Sequence, residues 1–128
     1  MDLVRDAERS GAERAVAHWL EQERPLPGFG HPLYPDGDPR GMAMLARFEI
    51  DDTMAALLAA AREATGALAN CDFALAALTR HLALPDDAPF RLFAIARSIG
   101  WAAHAMEQID SGKMIRPRAR YEGVALPA

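Results

Sequence analysis

"TMAALLAAAREATGALANCDFALAALTRHLAL", residues 53–84, decides the fold class. Alanine dominates it, β-branched residues are few, and no alternation of apolar and polar positions runs far enough to make a strand. The stretch divides at its own punctuation into two helices. Gly66 suits a left-handed C-terminal stop, Asn70 can cap the helix that follows, and Pro85 ends it. Outward from this pair the pattern repeats. Residues 2–23 read as helix with an interruption at Gly11. Asp38 and Pro39 suit the N-cap and first position of another helix, on which Met44, Leu45 and Phe48 share a face. The longest helix spans about Ala88 to Ser111, with Gly112 as its stop, and the tail "KMIRPRARYEGVALPA" is extended around Pro117. The expected fold is all-α and multi-helical, without internal repeats.

Composition excludes several classes of function. At 128 residues the chain is long enough for one domain with a real core, and 51% apolar with 25% charged residues is ordinary for a globular protein. A net charge of −4 gives no electrostatic footprint for nucleic acid. The lone Cys71 excludes an internal disulfide framework and fits a reducing compartment. "MDLVRDAERSGAER" is charged from its second residue and lacks the apolar core of a signal peptide, and no run is apolar for the length of a membrane span. The expectation is a cytoplasmic protein with neither a membrane nor a nucleic-acid partner. His18, His81 and His104 show no ligand spacing with each other or with Cys71, so no metal is expected.

One connection is overbuilt. "PLPGFGHPLYPDGDPRG", residues 25–41, holds five of the nine prolines and four of the nine glycines, where a helix–helix link needs a few residues. Its backbone is constrained on both sides of His31, between Gly30 and Pro32. A histidine on a stiff loop suits proton transfer or carbonyl polarisation near neutral pH; an ordinary surface histidine is the plainer alternative. Arg40, in the first turn of its helix, can bend back over the loop or stay a solvated cation that the helix dipole disfavours slightly. Asp72, in another first turn, is explained by the dipole alone.

"LFAIARSIGWAAHAM", residues 92–106, is apolar on nearly every side, with Arg97 its only permanent charge. A helix of that kind belongs in an interior, so Arg97 is expected among core residues with Phe90, Ala94, Trp101 and Ala105 on its stripe. No acid stands three or four positions away. The guanidinium must therefore find a distant carboxylate of the chain or an anionic ligand.

Together these stretches resemble the citrate synthase family. "GFGHPLYPDGDPR" is similar to its Gly-x-Gly-His followed by Asp-Pro-Arg, "NCDF" to its Asn-x-Asp-Phe, "ARSIGWAAHAMEQ" to its Arg-x-x-Gly-Trp-x-x-His helix and "IRPRARYEG" to its Arg-Pro-Arg ending. The resemblance implies the family's small domain over residues 25–128, preceded by a lead-in helix over 1–24. It implies an acyltransferase that condenses acetyl-CoA with oxaloacetate to give citrate and CoA. His31 would hydrogen-bond and protonate the ketone oxygen of oxaloacetate, and Asp72 would take a proton from the acetyl methyl group. Arg40 and Arg97 would hold substrate carboxylates, and Arg116 would reach the same substrate across a dimer interface. Pro27, Gly28, Phe29, Gly30 and Asn70 would receive CoA. No cofactor is tightly bound, acetyl-CoA being a co-substrate.

Departures from the pattern widen the choice. The family's additional catalytic histidine, in a His-Gly-Gly segment, has no counterpart in these residues, so the chain is expected to be inactive alone and to act as a homodimer or with a large-domain chain. "ALAAL" replaces the Tyr-Ser-Gly that follows Asp-Phe, and Pro32 replaces an arginine. Alternatives are 2-methylcitrate formation, citryl-CoA lysis, or a non-catalytic remnant that binds a CoA ester or a partner.

Overall fold

The structure, a computed structural model, describes residues 1–117. Six helices follow one another: α1 (Asp2–Ser10), α2 (Ala12–Glu21), α3 (Pro39–Leu45), α4 (Asp52–Thr65), α5 (Cys71–His81) and α6 (Ala88–Asp110). The all-α expectation holds, with a single isolated antiparallel bridge between Phe29 and Ala69. The helix ends are chemical. Asp38, Asp51 and Asn70 each accept first-turn amides, and Gly66 closes α4 at φ +70°. Gly11 turns the expected lead-in helix into two, α1 and α2. Phe48 falls beyond the end of α3, so the face expected to join it with Met44 and Leu45 is not helical throughout.

The chain divides into two compact units, Met1–Ile95 and the residues from Ala96 onward. In the first, α1, α2, α4 and α5 enclose a core that includes Val16, Trp19, Met54, Leu57, Ala61 and Phe73. Burying a side chain the size of Leu57 or Met54 contributes roughly 1.5–3 kcal/mol. Alanines at Ala15, Ala60, Ala61 and Ala77 let the helix backbones approach. Arg80 fastens three elements at the rim, its Nε donating to Asp51 Oδ2 at 2.5 Å and its Nη1 to Glu8 Oε1 at 2.6 Å.

α6 corrects the expectation of an interior helix. Only Ala88 is buried along its whole length. Phe90 is 75% exposed, Ile99 78% and Trp101 54%, and Arg97 is exposed too. In the second unit the Arg97 guanidinium lies back over its own helix, where a Cβ on Gly100 would collide with Nη1. Apolar character favours burial only where another layer covers the helix. The tail beyond Pro117, including the last two arginines of "IRPRAR", lies outside them.

Candidate active site

The stiff loop is stitched to the start of α5. Gly30 N–H donates to Leu68 O at 2.8 Å, and Asn70 N–H donates to Gly28 O at 2.9 Å. The Asn70 side chain works at both ends: Oδ1 accepts from the amides of Asp72 and Phe73, and Nδ2 donates to Gly30 O at 2.9 Å. The Phe29 ring packs on that of Phe73 at 5.1 Å. Gly28, at φ +87°, approaches Phe73 so closely that a Cβ would sit 3.1 Å from the Phe73 Cβ and 3.3 Å from its backbone. His31 and Asp72 are thereby carried on adjoining backbone.

A second fastening runs through Asp38. Its side chain is 0% exposed, and both oxygens are occupied. Oδ1 accepts from Arg40 N–H at 3.0 Å and Arg40 Nε at 2.9 Å; Oδ2 accepts from Arg40 Nη2 and from Cys71 N–H, each at 2.9 Å. The bidentate guanidinium holds the Asp38 carboxyl down at about 2 against the opposing cost of burial, and Asp38 in turn raises Arg40. The mild dipole penalty expected for Arg40 is thus offset by the acid at its own N-cap. Gly41 completes the junction: a Cβ there would lie 2.8 Å from the Asn70 carbonyl.

His31 is aimed by its neighbours. Leu33 N–H donates to His31 Nδ1 at 3.2 Å, and in the tautomer that accepts this bond the neutral ring's proton is on Nε2. Nε2 lies 3.3 Å from Arg40 Nη2. A guanidinium only donates and a neutral imidazole has one lone pair, so the ring accepts from Arg40 at Nε2 or from Leu33 at Nδ1. In the second tautomer Nε2–H and Nη2–H lie side by side, and an anionic oxygen placed against them would receive both. The same cavity, about 140 Å³, is lined by His31, Arg40, Asn70, Cys71, Asp72 and Phe93. Asp72 is exposed, and its carboxylate has no hydrogen-bond or ion-pair partner among the described residues. Burial pushes the Cys71 thiol up, so it stays protonated and adds no second anion. In a larger hollow of about 350 Å³ lined by Asp6, Arg9 and His18, the Asp6 carboxylate is already taken up by Arg9 and by Trp19 Nε1.

The first unit therefore brings together His31, Arg40, Asn70 and Asp72, with Gly28, Phe29 and Gly30 on the adjoining turn. Pro27 is exposed beside them. Arg97 and Arg116 belong to the second unit, and both are exposed there. Sequence reading missed three positioning features: Asp38 beyond its capping role, the Leu33 amide on His31, and the close approach at Gly41. Only the Asp-Pro-Arg-Gly run itself carried a hint, an acid and a glycine flanking the arginine.

The sequence model of the family described as "Citrate synthase, C-terminal domain" matches residues 1–118. A citrate synthase of Haloferax volcanii is 31% identical over 96% of this chain and 36% of its own length. A 2-methylcitrate synthase of Shewanella oneidensis is 31% identical over 98% of this chain and 36% of its own, and citrate synthase 2 of Bacillus subtilis is 29% identical over 94% and 35%. The chain thus spans about a third of the length of these relatives. With its motifs in order along the sequence and an all-α fold over the described residues, this chain belongs to the citrate synthase family, its residues 1–118 corresponding to that family's C-terminal domain.

Proposed function

We propose that the chain supplies the oxo-acid site and the carbon-acid base of a citrate synthase-like acyltransferase that condenses acetyl-CoA with oxaloacetate. The observation that carries this reading is the approach of His31 Nε2 to Arg40 Nη2, at 3.3 Å, on a cavity also lined by Asp72. Asp72 takes a proton from the methyl carbon of the thioester. The resulting carbanion equivalent forms a bond to the ketone carbon, and the ketone π pair moves onto oxygen, which receives the proton of His31 Nε2. Hydrolysis of the thioester by water then releases CoA. Holding donor and base in fixed register is what the stitched loop contributes.

Arg40 binds one carboxylate of the oxo-acid. Arg97 and Arg116 bind carboxylates as well, and Arg116 does so from a second copy. The exposure of Arg97 removes its argument from burial, so both assignments rest on the family motif alone. Gly28 to Gly30, with Pro27 and Asn70, receive CoA. The 2-methylcitrate synthase among the relatives favours a second reading in which propionyl-CoA is the acyl donor.

The test is thiol release from acetyl-CoA and oxaloacetate by the 128-residue chain combined with a chain that carries the family's His-Gly-Gly segment. Activity is expected in the mixture, with propionyl-CoA run in parallel. His31→Ala and Asp72→Ala should each lower it by about 10²–10⁴-fold. Oxaloacetate should raise the melting temperature of the mixture, and not of its Arg97→Leu form. No activity with any such chain, together with no protection by oxaloacetate, overturns the proposal.

A further inference from the structure

We propose that Tyr34 is a positioning residue that holds the His31 imidazole beside the Arg40 guanidinium; the inference rests on the reading of His31 and Arg40 given above. In the tautomer that accepts from Leu33 at Nδ1 and can donate from Nε2, the 3.3 Å approach to Arg40 Nη2 brings two N–H groups together without a bond, so other groups must hold it. Asp38 imposes it on the arginine side by gripping Nε and Nη2. On the histidine side the Leu33 amide fixes only Nδ1, and a single 3.2 Å contact leaves the ring free to tilt about it.

Tyr34 supplies the missing constraint. Its ring lies 4.9 Å from the His31 ring at 41° and 5.3 Å from Arg40 Cζ, so one aromatic surface touches both donors. The negative face of a phenol ring attracts a guanidinium and packs favourably on a tilted imidazole. The ring is itself held by backbone. Tyr34 N–H donates to His31 O at 3.0 Å, and Gly37 N–H donates to Tyr34 O at 3.1 Å, which places Tyr34 at the junction of two consecutive turns. Pro32 and Pro35 flank it and stiffen both turns. This gives the proline-rich loop a second use: it presents an aromatic wedge as well as a histidine.

The aromatic face carries this role, and the hydroxyl is dispensable. Tyr34→Phe should therefore behave like the parent and Tyr34→Leu should not. Tyr34 is half-buried and outside the core, so both should fold. The first readout is the ¹⁵N spectrum of the His31 ring in the 128-residue chain, independent of turnover. Distinct protonated Nε2 and unprotonated Nδ1 signals are expected in the parent and in Tyr34→Phe, and partly averaged signals in Tyr34→Leu. The second is kinetic, in the reconstituted mixture: Tyr34→Leu should raise KM for the oxo-acid about tenfold and leave KM for the acyl-CoA unchanged. Tyr34→Met serves in place of Tyr34→Leu if leucine disturbs the amide spectrum. Unchanged His31 ring signals in the aliphatic variants would overturn the inference. Averaged signals in a mixture without activity would leave Tyr34 as the clamp and sink the acyltransferase reading instead.

Discussion

Asp38 Oδ2 accepts the backbone N–H of Cys71 at 2.9 Å, across 33 residues of chain. The residue that caps α3 is therefore also an anchor for the first turn of α5. Its other oxygen and the second arm of Oδ2 hold Arg40. One buried carboxylate thus sets the distance between the arginine of one motif and the aspartate of another. The bridge between Phe29 and Ala69 sets the distance of His31 from the same point. The candidate site is a junction of two helix starts and a turn, and its His31, Arg40 and Asp72 side chains are accordingly supported from beneath rather than deeply enclosed.

Removing this carboxylate should cost stability out of proportion to its size. Asp38→Ala strips partners from the part-buried Cys71 amide and from a guanidinium. A hydrogen bond to a charged group is worth about 1.5–3 kcal/mol, and an orphaned buried amide costs about 1–3 kcal/mol. Because Arg40 is half-exposed and regains water, the expected loss is about 2–4 kcal/mol, read from urea unfolding. Asp38→Glu, with a longer stem, should fail to restore it.

The same group sets an acid limit. Its folded value is about 2 against 3.8, so the unfolded chain binds the proton more readily. Stability from Asp38 is then fully present above the unfolded value and is lost as pH falls from about 4 towards about 2. Screening around the half-exposed Arg40 reduces the effect to about 1–2 kcal/mol. Asp51 and Asp6 are also lowered, the first through its Met54 and Arg80 hydrogen bonds against burial, the second chiefly through Trp19 and Arg9. Comparison with Asp38→Asn isolates the Asp38 share: its unfolding midpoint should fall less steeply between pH 4 and pH 2. Parallel slopes would contradict the assignment.

Gly41 tests the junction by shape. It sits in α3, and its prospective Cβ meets backbone, 2.8 Å from the carbonyl carbon and oxygen of Asn70. Backbone cannot rotate away as a side-chain tip can. Gly41→Ala should therefore cost about 1–3 kcal/mol despite the usual helical advantage of alanine, and should weaken oxo-acid protection of the reconstituted mixture by moving Arg40. A stabilised Gly41→Ala chain would show that α3 can slide.

The helix ends were legible in the sequence because capping is local chemistry. Asp38-Pro39, Gly66 and Asn70 declare themselves within three residues, and the structure uses each as read. His31, Arg40 and Asp72 were legible as motifs, yet nothing in their spacing predicted the Leu33 amide on Nδ1 or the Cys71 amide on Asp38. Such contacts depend on how separate turns meet. Arg97 failed for a related reason. Apolar periodicity reports that a helix surface gains by being covered, and it carries no information about what covers it.

The uncovered face of α6 has a consequence in solution. Ile95, Ile99, Met106 and Ile109 are all exposed along one side of a helix with few charges to keep copies apart. Scattered apolar residues are common on protein surfaces, but a run of large ones along a single helix marks a surface that binds something. In the isolated 128-residue chain, a second copy is the partner always available. Light scattering should show a mass that rises with concentration above the monomer. Ile99→Lys should reduce the association and leave the urea midpoint nearly unchanged, because Ile99 is 78% exposed and contributes little to the fold. A mass that stays at 13.9 kDa at every concentration would show that this face is tolerated bare.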